Sequence, residues 1–267
     1  MLRLLLCCAL TVVPAAFAAD PPADAEQATK HLDASARHGE WVAIDSEGDK
    51  ITAWMVYPER AGTAPVVVVI HEIFGLTDWI RAVADQFAAE GFLAIAPDLL
   101  SGKGPDGSNT PEDQQEAVKL VRSLDAAEVI RRLNATAAYA TALPSATDKY
   151  GSVGFCWGGG KSFAWAVAQP ELDAAVVYYG ASPDPAEVSK VGAAVLGLYG
   201  GDDARVNSTI PPVEAEMERL GKTFEKQIYE GAGHAFLRQQ QDRDGANMRA
   251  SEQAWDRTIA FFKERLE

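Results

Sequence analysis

The chain reads as one α/β domain, a mostly parallel central β-sheet with helices on both faces. Three observations predict it. Short runs that are apolar throughout recur along the sequence: PVVVVI (65–70), FLAIAP (92–97), AAVVYYG (174–180) and AAVLGLYG (193–200). Strands apolar on both faces belong to a sheet that is covered on both sides. Amphipathic patterns at about 78–90, 112–142, 157–168, 211–221 and 246–265 lie between or after them, the alternation of strand and helix that builds parallel sheets. No internal repeat or low-complexity linker divides the 267 residues, a length that one sizeable domain fills.

The elements can be justified in order. Met1-Leu2-Arg3 supplies a positive charge, LLLCCALTVV is a short apolar run, and AAFAAD closes it with small residues at Ala16 and Ala18. This is the pattern of a secretory signal peptide, residues 1–18, cleaved after Ala18. The apolar run is shorter than the roughly 20 residues that span a bilayer, so an exported protein is expected, periplasmic or secreted, with no membrane attachment after cleavage. Residues 19–38 are polar and rich in Ala, Pro and Asp, and are expected to form a flexible leader before a single domain over 39–267. WVAID and ITAWMVYP flank Ser46-Glu47-Gly48-Asp49 and predict a β-hairpin. YGSVGF (150–155) and FEKQIYEG (224–231) complete the set of strands.

Charge and cysteine content narrow the function classes. The net charge is −14 with a pI near 4.7, and such a chain gains nothing from counterion release on DNA or RNA. Nucleic-acid partners are excluded on that ground, and a monomer acting on a small molecule is expected. Of three cysteines, Cys7 and Cys8 fall in the signal peptide and only Cys156 remains. An internal disulfide is then impossible, and a lone thiol in an oxidising compartment asks for a reason.

The stretch GSVGFCWGGGKSF (151–163) holds two competing patterns. Its tail resembles a phosphate-binding loop, but G-x-x-x-x-G-K-[ST] requires glycine at 155, and that residue is Phe155. Gly154-x-Cys156-x-Gly158 fits a different template without adjustment: a nucleophile elbow between a strand and a helix, with cysteine as the nucleophile. Glycines on both sides relieve the crowding of a strained turn. The helix N-terminus favours the thiolate. A glycine-rich turn with an incidental cysteine is the alternative for this motif taken alone.

An elbow of this kind needs an acid and then a histidine further along the chain. Of His31, His38, His71 and His234, only His234 lies downstream of Cys156. It follows a strand in Glu230-Gly-Ala-Gly-His-Ala-Phe236 and is the candidate base. Between them, Leu198-Tyr-Gly-Gly-Asp-Asp-Ala-Arg-Val206 offers two acids. The spacing D-x-x-V, with the valine packing under the loop, selects Asp203 over Asp202. Asp203 would fix the imidazole tautomer and stabilise its cation.

Gly154-Phe-Cys-Trp-Gly-Gly159, Gly200-Gly-Asp-Asp203, Gly231-Ala-Gly-His-Ala-Phe236 and His71-Glu-Ile-Phe-Gly75 together resemble the dienelactone hydrolases, a cysteine-using branch of the α/β-hydrolase fold, from about residue 40 onward. The resemblance implies an ester or lactone hydrolase with a Cys156-His234-Asp203 triad and an acyl-enzyme intermediate. It implies that Glu72 takes part in activating the thiol, and that the N–H groups of Ile73 and Trp157 form the oxyanion hole. It implies no cofactor, and no metal: HExxH would need histidine where Gly75 stands.

Arg238 matches one of two arginines that grip a substrate carboxylate in the family. The other falls at Gln114, leaving Arg81 and Arg122 as alternative replacements. An ordinary thiol with a pKa near 8.5 is mostly protonated at neutral pH, so His234, the helix terminus and Glu72 are expected to assist ionisation. A catalytic pair would then be alkylated well below the pH of a free cysteine. A thioester-preferring hydrolase, or an exported binding or thiol-sensing protein with a vestigial elbow, are the alternative functions.

Overall fold

The computed structural model describes residues 19–267, and the expected signal peptide with Cys7 and Cys8 lies outside them. The chain runs α1 (Ala28–Ala34), β1 (Gly39–Ser46), β2 (Asp49–Val56), β3 (Ala64–Ile70), α2 (Asp78–Ala89), β4 (Leu93–Pro97), α3 (Gln114–Ser123), α4 (Ala126–Thr141) and β5 (Ala146–Phe155). It continues through α5 (Trp157–Ala168), β6 (Ala174–Tyr178), β7 (Ala194–Gly200), α6 (Ala204–Asn207), α7 (Ile210–Arg219), β8 (Phe224–Tyr229) and α8 (Ala246–Leu266).

Among the described residues, eight strands form one sheet in the order β1-β2-β4-β3-β5-β6-β7-β8. β1 and β2 form the expected hairpin, and β2 lies antiparallel to β4. From β4 through β8 every pairing is parallel. The hairpin closes on Glu47 and Gly48, both at positive φ, the two-residue turn whose twist matches the strands.

The apolar runs explain the layers. Successive strand residues point to opposite faces, so Val67, Val69, Val153, Phe155 and Val176 pack under α2 and α8. Val66, Val68, Ile70, Val177 and Val195 pack under α4, α5 and α7. This is the α/β architecture the sequence predicts. β3 leads through α2 to β4 on one side, while β5 lies on its other side. The carboxyl ends of β3 and β5 therefore flank a switch point, where open sheets of this type bind ligands.

Two expectations need correction. The pattern over 112–142 is two helices, because the Asp125 carboxylate accepts from the N–H groups of Ala127 and Glu128 at 2.9 and 3.1 Å and starts a new helix there. Residues 19–38 are not a flexible leader: they include α1, which packs on α2 with Ala28 buried. The reason is polar anchoring. The buried Asp85 carboxylate of α2 accepts from His31 Nε2 (2.7 Å), Ser35 Oγ (2.7 Å) and Arg37 (2.5 Å).

Burial alone would raise the pKa of Asp85. The hydrogen bonds from Arg37, Ser35 and His31 outweigh it and pull the carboxyl below its ordinary value of 3.8. A carboxylate whose folded pKa is depressed contributes stability above its unfolded pKa and loses it as pH falls through the folded one. Asp85→Asn is expected to cost about 2 kcal/mol and to expose the backbone of residues 28–37. Thermal unfolding at pH 7 and hydrogen exchange of that segment check both.

Candidate active site

β5 ends at Phe155, and the chain turns into α5 through Cys156, whose φ of 55° and ψ of −115° lie where an L-residue is strained. Such a conformation costs on the order of 1–3 kcal/mol and survives only where the surroundings enforce it. Here they do. A Cβ on Gly154 would stand 2.0 Å from the Gly158 carbonyl oxygen, and one on Gly158 would stand 2.3 Å from that of His71. Both glycines let the first turn of α5 press against β5 and the end of β3. The crowding they relieve is therefore between backbones, and not against the nucleophile itself.

His234 follows β8 and faces the elbow. Its Nε2 is 3.1 Å from Cys156 Sγ, and its Nδ1 is 2.5 Å from Asp203 Oδ2. With the proton on Nδ1 donated to the carboxylate, Nε2 is free to accept from the thiol. The loops after β7 and β8 are laced together: Gly201 N–H donates to Tyr229 O at 2.8 Å and Asp202 N–H to Ala232 O at 3.0 Å. The structure thus brings Cys156, His234 and Asp203 together. Asp203 also caps α6, accepting from Val206 N–H at 3.4 Å over the buried Val206 side chain. Asp202 instead ion-pairs with Arg243 at 2.7 Å on the surface.

The loop after β3 supplies Glu72 and Ile73. His71 Nε2 accepts from Leu99 N–H at 3.3 Å, which leaves the ring proton on Nδ1 for the Glu72 carbonyl oxygen at 2.7 Å. Burial holds this imidazole neutral by pushing its pKa down, and it stacks on Trp157 with centroids 5.5 Å apart. Further along the loop, Leu76 N–H donates to Thr110 Oγ1 at 3.0 Å, and that hydroxyl donates to the buried Asp98 at 2.7 Å.

Glu72 is 3% exposed and its Oε2 lies 3.2 Å from Arg238 Nε. Burial pushes its pKa up to about 7 against the lowering effect of Arg238. The thiol is pushed up to about 11, first by burial and second by the charge of Glu72, while the Trp157 N–H and Arg205 act in the opposite direction. The resting sulfur is consequently a thiol. Of the three aids to ionisation expected from sequence, His234, the helix terminus and Glu72, the Trp157 N–H at the helix terminus acts as expected and ionised Glu72 acts against it.

Cys156 opens onto a cavity of about 700 Å³, which Ile73, Trp157 and Tyr179 also line. Three cations reach it: Arg122 from α3, Lys161 from α5 and Arg205 from α6. None of the three has a carboxylate partner among the described residues, and Lys161 lies 5.2 Å from the Trp157 ring. Arg81 is elsewhere, paired with Asp78 and stacked 4.3 Å from Trp54. Of the two alternatives, Arg122 is the one at the cavity, and Gln114 stands at the start of α3. Arg238, the expected substrate ligand, is not among the residues lining this cavity; its Nε pairs with Glu72 and its guanidinium lies over Phe74.

The sequence reading missed Arg205, Lys161 and Tyr179. Tyr179 is buried at φ 41°, its ring 5.2 Å from that of His234. Arg205 sits inside the stretch used to choose Asp203, and Lys161 inside the failed phosphate-loop match. Among the described residues no group of three or more His, Cys, Asp or Glu side chains is placed to hold a metal ion.

With this geometry established, comparison with known proteins decides the family. The profile of the dienelactone hydrolase family matches residues 51–266. The chain belongs to the dienelactone hydrolase family. It is 32% identical over 255 residues to a protein of Saccharolobus solfataricus named "Putative carboxymethylenebutenolidase", covering 83% of this chain and 97% of that one. A protein of Escherichia coli K12 with the same name is 30% identical over 236 residues, covering 84% and 86%. A crystal structure from Klebsiella pneumoniae, described as "Putative Dienelactone Hydrolase", superposes with a TM-score of 0.76 at 31% identity, covering 86% of this chain and all of that one. This chain is accordingly a hydrolase with an α/β-hydrolase fold that acts on small molecules.

The electrostatics give a test that needs no substrate. Contrary to the low alkylation pH expected from sequence, the midpoint of Cys156 is expected above that of a free cysteine because burial and Glu72 raise it. Glu72→Gln is expected to lower it by about one pH unit, since it removes the largest opposing charge. Iodoacetamide rates measured against pH read both values.

Proposed function

We propose that this family member hydrolyses carboxylic esters or lactones through a Cys156-His234-Asp203 triad and a thioester acyl-enzyme. The observation that carries the reading is the continuous line of contacts from sulfur to imidazole to carboxylate, at 3.1 and 2.5 Å. His234 Nε2 takes the thiol proton as sulfur adds to the acyl carbon. The carbonyl oxygen becomes an oxyanion beside the N–H groups of Ile73 and Trp157, where losing one donor costs about 3–4 kcal/mol of transition-state stabilisation. Collapse expels the alkoxide or enolate, which takes the proton from His234. In a lactone this oxygen stays tethered to the acyl group. Water then gives a proton to His234 and its hydroxyl to the thioester carbon, and sulfur leaves as the restored thiol.

Glu72 sets when this happens. Protonation of its carboxyl, whose pKa is about 7, removes a charge that opposes the thiolate. Good leaving groups, such as enols and phenols, suit a sulfur nucleophile held at this cost. The cluster of Arg122, Lys161 and Arg205 supports an anionic substrate, a carboxylate on the acyl or leaving portion. The name carboxymethylenebutenolidase, borne by the relatives, is consistent with such a lactone. We further propose that the chain is exported and cleaved after Ala18, on the strength of the pattern in residues 1–18.

Hydrolysis of a panel of aryl esters and enol lactones tests the reading. Cys156→Ala is expected to lose at least about 10³-fold in kcat, and equal activity in both proteins would contradict it. In a second comparison, the Arg122→Ala/Arg205→Ala double variant is expected to raise KM about fivefold for carboxylated esters. Its KM for neutral aryl esters should stay unchanged.

A further inference from the structure

The segment before α1 lies across the loop that carries Arg238. Gln240 Nε2, buried, donates to Pro22 O at 2.8 Å, and Trp79 Nε1 donates to Ala23 O at 3.1 Å. Ala25 N–H donates to the carbonyl of Arg238 itself at 3.0 Å. The buried Asp24 accepts from Gln27 N–H at 3.0 Å and from Gln241 Nε2 at 3.4 Å. From its other side the loop is held by α8: Asn247 Nδ2 donates to Gln239 O at 2.7 Å and Ser251 Oγ to Phe236 O at 3.1 Å. Between segment and loop lies a cavity of about 340 Å³ that Arg238, Asp24 and Glu26 line. Packing therefore does not fix Arg238 on this side, and these hydrogen bonds do.

The far end of the segment carries the second observation. Ala19 N–H donates to Asp256 Oδ1 of α8 at 2.7 Å, and Asp256 has no cationic partner among the described residues. A half-buried carboxylate satisfied by one neutral amide is incompletely compensated. Cleavage of the Ala18–Ala19 bond supplies what is missing. Water adds its hydroxyl to the Ala18 carbonyl and a proton to the Ala19 nitrogen, which takes a further proton from solvent. The amide becomes an ammonium, and the contact becomes a charge-assisted one of roughly twice the strength.

We propose that residues 19–27 are a strap that positions the Arg238–Glu72 pair, and that removal of residues 1–18 completes it through an ion pair between the new α-ammonium of Ala19 and Asp256. Asp256, Gln240 and Trp79 are then positioning residues that act through the strap on Arg238. The inference rests on the proposed cleavage and on the role of Glu72 beside Cys156. It adds that the enzyme reaches its working electrostatics only after processing. In the alkaline range where the thiol titrates, Glu72 is ionised; slackening the strap lets Arg238 withdraw, leaves that carboxylate without its cation, and makes ionisation of the sulfur harder.

The experiment uses the full chain, exported and processed, with intact mass defining its N-terminus. Three variants slacken the strap: Asp256→Asn, Gln240→Ala, and insertion of Gly-Ser-Gly after Ala18, which carries the ammonium three residues away. Each is compared with the parent in the Glu72 and in the Glu72→Gln background. The readout is the pH midpoint of Cys156 alkylation, with thermal unfolding alongside. In the Glu72 background each variant is expected to raise the midpoint by about half a pH unit, a threefold loss of thiolate at a given pH. In the Glu72→Gln background no shift is expected.

An equal shift in both backgrounds, or none in either, overturns the proposal. Should Gln240→Ala fail to fold, the insertion, which removes no side chain, still reads the strap. Recovery of a chain not beginning at Ala19 overturns the ammonium step. Because alkylation reads the thiol without a substrate, these outcomes stand apart from the hydrolysis assay: retained activity in Cys156→Ala would sink the ester reading alone.

Discussion

The molecule depends on one piece of unfavourable backbone. Cys156 occupies a region of φ and ψ that an L-residue avoids, and the sheet, the glycines and the first turn of α5 all hold it there. The Cys156 N–H donates to Tyr178 O at 3.0 Å, so even the strained residue is tied into the neighbouring strand. Relaxing it would turn the sulfur away from the carboxyl end of the sheet. The loops after β3, β7 and β8 converge on that point, and each is pinned by its own hydrogen bonds. Strain at the nucleophile is thus offset by contacts spread over the whole parallel half of the sheet.

A second consequence is electrostatic. Burial raises the pKa of the Glu72 carboxyl, and burial together with the Glu72 charge raises that of the half-buried Cys156 thiol. Sulfur at rest therefore keeps its proton, and a protonated thiol resists oxidation better than a thiolate. That property would suit a lone cysteine in the exported, cleaved form proposed above. In the proposed mechanism, transfer of the proton to His234 is best made together with attack on a bound acyl group.

The sheet was legible because apolar runs of strand length leave little freedom: both faces must be covered, and the order follows. The break at Asp125 had its signal in D-x-x-E, yet a continuous amphipathic pattern hid it. Residues 19–38 could not be read. Their composition is that of a loose tail, and what fixes them are partners remote in sequence: Trp79, Asp85 and Gln240. Cys156, Asp203 and His234 were legible as a spaced motif in the chain order that this fold uses. Arg122 was singled out only as an alternative, and Arg205 and Lys161 were not, since their convergence on one cavity is a property of three helices in space. The same holds for Arg238. Its motif position suggested a substrate ligand, but its nearest charge is Glu72, brought beside it only by folding.

The most direct measurement is intact-mass spectrometry of the enzyme quenched during turnover of a slowly deacylating aryl ester, followed by peptide mapping. A covalent intermediate on sulfur predicts a mass increase equal to the acyl group, located on the peptide containing Cys156 and absent from Cys156→Ala. Turnover with no adduct on that peptide, or with the acyl group on another residue, would contradict it.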